Sequence, residues 1–427
     1  MKRRDFLKGL LTAAVLAPVS RLAAAGKKAA HPAGEVSRKK YKDSSLALPM
    51  LGFGMMRLPR KKNSPEIDYE KTAAMFDRAM KAGINYFDTA YFYIGGRSET
   101  CAGDLLSRYP RESYFLASKM PVGRVKTAAD LERIFNEQLT KCKTTYFDFY
   151  MLHALNASGW AKSKRLGVYE FLMKKKAEGK IRKLGFSFHD TPDVLEDIAS
   201  AHPWDFAQIQ VNYLDWTLYR SREQYEILTK RNIPVIVMEP LRGGILAKLN
   251  PAATQILSNA APGKSNASWA FSYVGSLPNV LITLSGMTCM EHLEDNIKTF
   301  SNFTALSPAE HKTLDAALTA YRKGLAVPCT DCRYCLPCPV GVEIPRIFAM
   351  YNQMKLTGNR GAFTRSYGAL DEDAQGSACV ACGKCVKACP QKINIPEQLK
   401  KIDMEFKRIK RSKKAFNAAI PDEELYS

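Results

Sequence analysis

Eight strand-like segments, each followed by a helix-like segment, succeed one another between residues 51 and 300. Short apolar runs alternate with longer amphipathic stretches, which is typical of repeated strand–helix units. We place the strands at 51–55, 84–87, 114–118, 147–152, 181–186, 206–211, 234–238 and 280–284. We place the helices at 68–82, 98–109, 128–141, 167–178, 192–200, 222–231, 267–276 and 290–300, with another at 308–323. Eight units predict a closed, parallel (β/α)8 TIM barrel. An open doubly wound sheet is the alternative, but no Gly-rich dinucleotide turn follows the first strand.

Polar side chains stand where three consecutive strands end. Asp88 follows the second strand with Tyr93 five residues on, Lys119 follows the third strand, and His153 follows the fourth. Strand ends of a barrel share one pocket, so these groups can converge. We expect Tyr93 to move a proton at a carbonyl oxygen and Lys119 to lower the pKa of its phenol. Asp88 would hold Lys119, and a neutral His153 would orient the carbonyl. The alternative for each residue is a structural salt bridge or a satisfied polar group.

The segments that carry these residues resemble the aldo/keto reductases. Asp88-Thr-Ala-Tyr-Phe-Tyr93, Ser118-Lys119 and Leu152-His153 resemble the Asp/Tyr/Lys/His tetrad of that family. The similarity runs from about residue 51 to residue 300 and includes the segments 51–59, 210–213 and 238–244. It implies the barrel fold and hydride transfer between a nicotinamide cofactor, NAD(P)(H), and a small carbonyl or alcohol.

The resemblance also implies which residues contact the cofactor. These are Ser187, Gln210, Met238, Pro240, Leu241, Gly243, Ser285, Gly286, His292 and Asn296. Two departures from the family pattern stand out. Phe188 follows Ser187 where many members have Asn, and the basic positions that hold the 2′-phosphate of NADP align with Gly286 and His292. A strong preference for NADP over NAD is therefore not predicted.

Eight of the eleven cysteines lie in two runs near the C-terminus, at 329–338 and 379–389. The second run fits the ferredoxin spacing C-x2-C-x2-C-x3-C-P, and the first differs by one residue before its last Cys. The runs predict two [4Fe–4S] clusters with crossed ligands. One set is Cys329, Cys332, Cys335 and Cys389, and the other is Cys379, Cys382, Cys385 and Cys338. Zinc is the alternative, although zinc ribbons use paired C-x2-C motifs. The region resembles a ferredoxin-like di-cluster iron–sulfur domain, which iron–sulfur-bearing aldo/keto reductases carry after the barrel.

The first 25 residues have the three parts of an export signal. Lys2, Arg3 and Arg4 precede an apolar run at 9–19, and small residues follow at 23–25. The Arg pair followed by Phe-Leu-Lys resembles a twin-arginine signal. It predicts a periplasmic protein whose basic, flexible spacer extends to about Tyr41. An ordinary signal, a plain N-terminal helix and a cytoplasmic enzyme are the alternatives.

The formal net charge is +21 over 427 residues, which would suit an acidic partner or an anionic surface. No nucleic-acid-binding motif is present, so nucleic acid is not expected as a partner. In the basic C-terminal tail, Ile402, Phe406 and Ile409 share one helical face. We expect this face to dock on the protein, with weak membrane-surface contact or partner binding as alternatives. The predicted division is signal 1–25, barrel 41–326, di-cluster domain 327–396 and tail 397–427.

Two functional hypotheses follow from these patterns. The first is an oxidoreductase acting on a small-molecule carbonyl or alcohol, whose clusters transfer electrons, to a redox partner protein for example, or serve structure. The second is an iron–sulfur electron-transfer module that uses the barrel as a docking scaffold. Loops carrying Trp160 and Trp216 are expected to give the substrate pocket an aromatic wall.

Overall fold

The computed structural model describes residues 34–42, 44–323, 325–329 and 333–418. Two short strands, β1 (Arg38–Lys40) and β2 (Ala47–Pro49), precede the barrel. The barrel strands are β3 (Leu51–Gly54), β4 (Tyr86–Asp88), β5 (Phe115–Met120), β6 (Phe147–Leu155), β7 (Ile181–Phe188), β8 (Phe206–Gln210), β9 (Val235–Met238) and β10 (Val280–Ser285). Each pairs in parallel with its neighbours in chain order, and β10 closes the barrel against β3. The predicted (β/α)8 barrel is confirmed.

Helices follow the strands as the alternation predicts. Those of the barrel and its extension are α1 (Tyr69–Lys81), α2 (Ser98–Leu106), α3 (Ala128–Lys141), α4 (Ala157–Arg165), α5 (Val168–Ala177), α6 (Pro192–Ala201), α7 (Asp215–Leu218), α8 (Ser221–Lys230), α9 (Pro251–Ala260), α10 (Asn266–Gly275), α11 (Met290–Phe300) and α12 (Pro308–Lys323). Those of the C-terminal region are α13 (Ile344–Thr357), α14 (Arg360–Gly368), α15 (Lys384–Ala388) and α16 (Ile395–Ala418).

Helix α1 shows how local sequence sets these elements. The Asp68 carboxylate caps the helix by accepting a hydrogen bond from the Lys71 N–H. Thr72, Met75 and Phe76 recur at helical spacing and are buried. The apolar face of α1 therefore packs onto the barrel while its charged face meets solvent.

The lower half of the barrel interior is filled by inward-pointing side chains, including three aromatic rings. The Phe149 ring lies 5.1 Å from the ring centroids of both Tyr86 and Phe206, in edge-to-face geometry. These residues fill the interior of the barrel toward the amino ends of the strands. Space for a ligand is therefore left at the carboxyl ends of the strands.

The β1–β2 hairpin covers the opposite, amino-terminal end. Its Lys39 ammonium donates to three carbonyl oxygens, those of Gly275, Leu277 and Val280. The Tyr41 hydroxyl donates to the carbonyl of Asp205, just before β8. The prediction of a flexible spacer up to Tyr41 is therefore wrong from Val36 onward, because Val36 is buried and bridges Ser301, and strand pairing and these hydrogen bonds order the residues after it. The predicted export signal lies outside the described residues.

The C-terminal region has a core of its own. Residues of α13, α14 and α16, among them Phe348, Tyr367 and Leu399, pack together and carry the cysteines on their edge. Ile402 and Phe406 are buried in this core, so the predicted docking of the basic segment is confirmed. Helix α16 begins at Ile395, which makes the segment after residue 397 part of this domain rather than a separate tail. Among the described residues, no helix is long and apolar enough to cross a bilayer.

Candidate active site

The four polar residues predicted at the strand ends meet at the catalytic end of the barrel. Asp88 ends β4, Lys119 lies near the end of β5, and His153 lies near the end of β6. Register pairs Asp88 with Ala117 and Lys119 with Met151, so Lys119 lies two residues beyond Asp88, and His153 two residues beyond Lys119. Because side chains alternate along a strand, these even offsets place the three side chains on the same face of the sheet. Tyr93 enters from the loop after β4, where the Lys119 ammonium lies 4.7 Å from the centre of its ring.

Lys119 and Asp88 form a buried ion pair. The Lys119 Nζ donates to Asp88 Oδ1 and to the carbonyl oxygen of Thr89, both at 2.6 Å. Lys119 is 1% exposed and Asp88 is 2% exposed. Burial by itself would lower the pKa of Lys119, but Asp88 and Tyr93 outweigh it, and the pKa of Lys119 is raised. The ammonium is thus held charged beside the phenol.

Tyr93 differs from the expectation in one respect. We expected Lys119 to lower the pKa of the phenol, yet the pKa of Tyr93 is raised. Burial is the main cause, because a phenolate loses its solvation here, and the attraction of Lys119 offsets only part of that loss. Tyr93 is therefore a neutral phenol at neutral pH, which is the protonation state that a proton donor to a carbonyl needs.

His153 is neutral throughout the physiological range. Burial, together with the charge of Lys119 and the neighbouring His189, lowers the pKa of His153 to about 3. Its ring stands edge-on to Tyr93, with the ring centroids 6.0 Å apart. A neutral imidazole beside a phenol can donate a hydrogen bond to the ligand oxygen atom that the phenol also contacts, and it does so without adding charge.

A pocket continues from these residues toward the ends of β9 and β10. Its volume is about 380 Å³, and Asp88 and Tyr93 lie at its wall. Of the ten residues predicted to contact the cofactor, the wall includes Met238, Pro240, Leu241, Gly243, Ser285, Gly286, His292 and Asn296. The Asn296 amide donates to Ser285 Oγ at 3.0 Å, which fixes one wall of the pocket. The pocket therefore joins the proton-donor group to a long cleft suited to an extended ligand.

Comparison with known proteins agrees with this geometry. Residues 50–319 match the Aldo/keto reductase family, and residues 328–393 match a 4Fe-4S dicluster domain. The chain belongs to the aldo/keto reductase family.

Individual relatives align over the reductase barrel. The uncharacterized oxidoreductase YqkF of Bacillus subtilis (strain 168) is 26% identical over 311 residues, which cover 65% of this chain and 95% of YqkF. The L-galactose dehydrogenase of Arabidopsis thaliana is 23% identical over 286 residues, covering 62% and 88%. Among solved structures, the holo form of aldo-keto reductase AKR11C1 from Bacillus halodurans is 22% identical with a TM-score of 0.56, covering 66% of this chain and 96% of that chain. The thermostable aldo-keto reductase Tm1743 is 23% identical with a TM-score of 0.54, covering 66% and 100%. These structures share the fold.

Two residues predicted to contact the cofactor lie elsewhere in the reductase. Ser187 is buried, and its hydroxyl accepts a hydrogen bond from the Ala154 N–H at 2.7 Å, where the pairing of β6 with β7 shifts register. The Gln210 amide donates to the buried Asp215 carboxylate at 2.6 Å. Neither lines the pocket. Ser187 instead supports the backbone beside His153, because the register shift leaves that N–H without a partner on the neighbouring strand.

Sequence reasoning missed other residues of the pocket wall. Gln208 lies two residues before Gln210 on β8, is 1% exposed, and has a side-chain oxygen without a hydrogen-bond partner among the described residues. Its position on the same strand face as Gln210 was the available signal. Arg57, which follows β3, packs its aliphatic carbons on Gly286 and lies 3.9 Å from the Glu239 carboxylate.

The predicted aromatic walls are wrong for both tryptophans. Trp160 is buried on α4 with its ring 6.5 Å from that of Trp204, and Trp216 packs against Tyr225 and Tyr273. Neither lines the pocket. Both tryptophans lie on helices, and their rings pack against aromatic side chains of neighbouring segments. Phe92 is 42% exposed, and its ring stacks on that of His153 with the ring centroids 6.2 Å apart.

The described cysteines of the dicluster domain surround two separate cavities. Cys338, Cys379, Cys382 and Cys385 line one of them, together with Cys335. Cys329, Cys335 and Cys389 line the other, against Ile344 and Phe348. Cys332 lies outside the described residues. Thiols are the donor set that iron–sulfur clusters require, and apolar residues stand around them.

Proposed function

We propose that the barrel is a nicotinamide-dependent oxidoreductase that interconverts a small carbonyl and an alcohol. The observation that carries this proposal is the group of Tyr93, His153 and the buried Lys119–Asp88 pair at the end of a pocket that extends to Asn296. A proton donor, a charged neighbour and a neutral hydrogen-bond donor at one point are what carbonyl reduction needs from a protein.

In the reductive direction, the carbonyl oxygen would lie between the Tyr93 hydroxyl and the His153 ring. Tyr93 would donate its proton to that oxygen as negative charge develops there. Lys119 would stabilise the resulting phenolate, and Asp88 would keep Lys119 in place. A bound nicotinamide would supply or accept the hydride, which none of these side chains can carry. Alcohol oxidation would use the same groups in reverse.

The chain's own residues fit such a cofactor. The buried oxygen of Gln208 lacks a partner among the described residues, and a carboxamide N–H group would satisfy it. Gly243 and Gly244 have φ values of 66° and 97°, so the backbone after β9 takes a conformation that leaves room over the cleft. Arg57 would meet the anionic phosphates. The lining favours NAD(P)(H) without discriminating NAD from NADP.

The exposed Phe92 ring beside His153 indicates the substrate class. An aromatic face beside His153 suits the apolar face of a sugar or of an aryl carbonyl. The Arg124 guanidinium lies 5.4 Å from this ring, which leaves a positive charge beside it.

Isotope transfer tests the proposal. Purified protein is mixed anaerobically with 4-deuterated NADH or NADPH and a panel of sugar and aryl carbonyls, and the products are examined by mass spectrometry. Deuterium on the former carbonyl carbon is the expected result. If neither cofactor binds and no product gains deuterium, the electron-transfer module with a barrel scaffold replaces the reductase.

We propose further that the dicluster domain holds two [4Fe–4S] clusters with crossed ligands. The two cavities support this assignment, because Cys389 lies with Cys329 and Cys335, whereas Cys338 lies with the second run. Iron analysis of anaerobic protein should give about eight irons per chain on this ligand count. Zinc in place of iron would contradict the proposal.

We propose, lastly, export of a loaded enzyme through the twin-arginine route, which the Arg3-Arg4 pair supports. Because the periplasm has no free nicotinamide pool, the cofactor would bind before export and remain bound through many cycles. Mass spectrometry of small molecules released from periplasmic protein should find about one nicotinamide dinucleotide per chain. Full-length protein confined to the cytoplasm would refute export.

A further inference from the structure

The dicluster domain exposes apolar side chains beside its cysteines. Val380 is 63% exposed and Leu336 is 37% exposed. Single exposed aliphatic residues are ordinary on a protein surface. These two, however, flank the thiols of one cluster cavity, since Val380 adjoins Cys379 and Leu336 lies two residues before Cys338. We call Leu336, Val380 and Cys382 the exposed edge.

This exposed edge is the place where a cluster would come nearest to solvent. Cys382 is exposed, and it lines the same cavity as Val380, Cys379 and Cys385. By contrast, Phe348 and Ile393, at the wall of the other cavity, are buried. Electron tunnelling weakens steeply with distance, so a partner that seats on Val380 would exchange electrons with the cluster directly beneath it.

The surroundings of the exposed edge are basic. Lys384 lines the same cavity as Val380, and Lys387 and Lys392 follow it along the chain and are exposed. No acidic residue occurs between residues 376 and 396. The acidic run at 371–373 lies near Gly341, on the side of the cavity that Pro339 and Val340 line. A small apolar centre with a polar rim is the usual composition of a transient protein interface, and its positive charge selects a negatively charged partner.

From these features we propose that the exposed edge docks a small, acidic one-electron carrier protein. One electron would pass between the carrier and the adjacent cluster, so one is oxidised as the other is reduced, with no proton or leaving group required. The area is small, which suits a weak, short-lived redox complex. The proposal rests on the cluster cavity and its surface, and it stands or falls independently of hydride chemistry in the barrel.

An anionic membrane is the other class of partner that a basic surface could serve. A membrane-bound helix must offer its apolar face to the lipid. The apolar face of α16, formed by Leu399, Ile402 and Phe406, is buried inside the domain. Two exposed aliphatic side chains provide little area for insertion, so the structure favours a protein partner.

Binding measurements with defined probes test the proposal. Anaerobic full-length protein is titrated with flavodoxin, an acidic carrier, and with cytochrome c, a basic carrier, by calorimetry at low and moderate salt. Flavodoxin should bind, and its Kd should rise about tenfold or more between 50 and 200 mM salt because the attraction is electrostatic. Cytochrome c should not bind to this surface.

Matched variants locate the contact. Lys384→Glu with Lys387→Glu should weaken flavodoxin binding about tenfold or more. Lys40→Glu with Lys174→Glu makes the same charge change at exposed barrel positions, and it should alter the Kd less than about twofold. Val380→Ser should weaken binding severalfold by removing apolar contact. The electron paramagnetic resonance spectrum of each variant should match that of the wild type, which shows that the clusters remain intact.

Three results would overturn the proposal. One is flavodoxin binding that the two lysine substitutions near the cluster leave unchanged. Another is preferential binding of cytochrome c. The third is tight binding to phosphatidylserine vesicles that Val380→Ser abolishes, which would make the exposed edge a membrane contact.

Discussion

Replacing Lys119 by Met should destabilise the barrel through Asp88. The substitution keeps an unbranched side chain, one atom shorter, but leaves a carboxylate that is 2% exposed without its ammonium partner. Removing one member of a buried ion pair costs about 3–5 kcal/mol. Burial already raises the pKa of Asp88, with Lys119 opposing that rise, so removing the ammonium should raise the pKa of this carboxyl further.

The sign of the pH dependence follows from the same argument. In the variant, the folded Asp88 would bind a proton that the unfolded carboxyl has released above about pH 4. The loss of stability should therefore be largest near pH 7 and should disappear as the pH falls toward 4. The double variant Asp88→Asn/Lys119→Met buries no charge, so it should recover most of the loss.

Tryptophan fluorescence can follow the barrel alone, since all four tryptophans lie in the barrel, at residues 160, 204, 216 and 269. Anaerobic urea unfolding at pH 4, 5.5 and 7 would give the free energy of unfolding for the wild type and both variants. A loss of less than about 1 kcal/mol at pH 7 for Lys119→Met, or a double variant no more stable than the single one, would refute the reasoning.

Three other predictions concern the active site and the clusters. Because the pKa of His153 is lowered to about 3, kcat/KM for carbonyl reduction should show no ionisation of this residue between pH 5 and 8, and an inflection there that His153→Gln removes would contradict the assignment. Glu99 is buried and accepts hydrogen bonds from the side chains of Ser118 and Gln138. Glu99→Gln should therefore lower the free energy of unfolding, followed by tryptophan fluorescence, by about 1–3 kcal/mol. An unchanged free energy of unfolding would count against a stabilising role for these hydrogen bonds. If the ligands cross, Cys389→Ser should alter the same electron paramagnetic resonance signal as Cys335→Ser and spare the signal that Cys385→Ser alters.

Much of the fold could be predicted because each barrel unit has a local sequence pattern, a short apolar run followed by a longer amphipathic stretch. Helices α4 and α9 lay in segments predicted as loops and were missed, since each is an additional helix between a barrel strand and the helix that the alternation predicts. The β1–β2 hairpin was missed because its order depends on contacts with residues more than two hundred positions away, such as the bond from Lys39 to Val280. No local pattern encodes such a contact.

The meeting of Asp88, Lys119 and His153 followed from one rule, that strand ends of a barrel face a shared pocket. The contacts of the other predicted site residues and the pKa of Tyr93 depend on the folded surroundings of each side chain. Ser187 and Gln210 bond to Ala154 and Asp215, partners that a motif does not reveal. The raised pKa of Tyr93 depends on burial, which spacing along the chain cannot measure.

The central claim is that Tyr93 transfers the proton in a hydride-transfer reaction at the barrel mouth. The direct test is the rate of carbonyl-dependent NAD(P)H oxidation by wild-type protein and by Tyr93→Phe, followed at 340 nm under single-turnover, anaerobic conditions. The account predicts that the variant binds the cofactor with a nearly unchanged Kd and loses about 10²–10⁴ in rate. A Tyr93→Phe protein that oxidises the cofactor at close to the wild-type rate would contradict it.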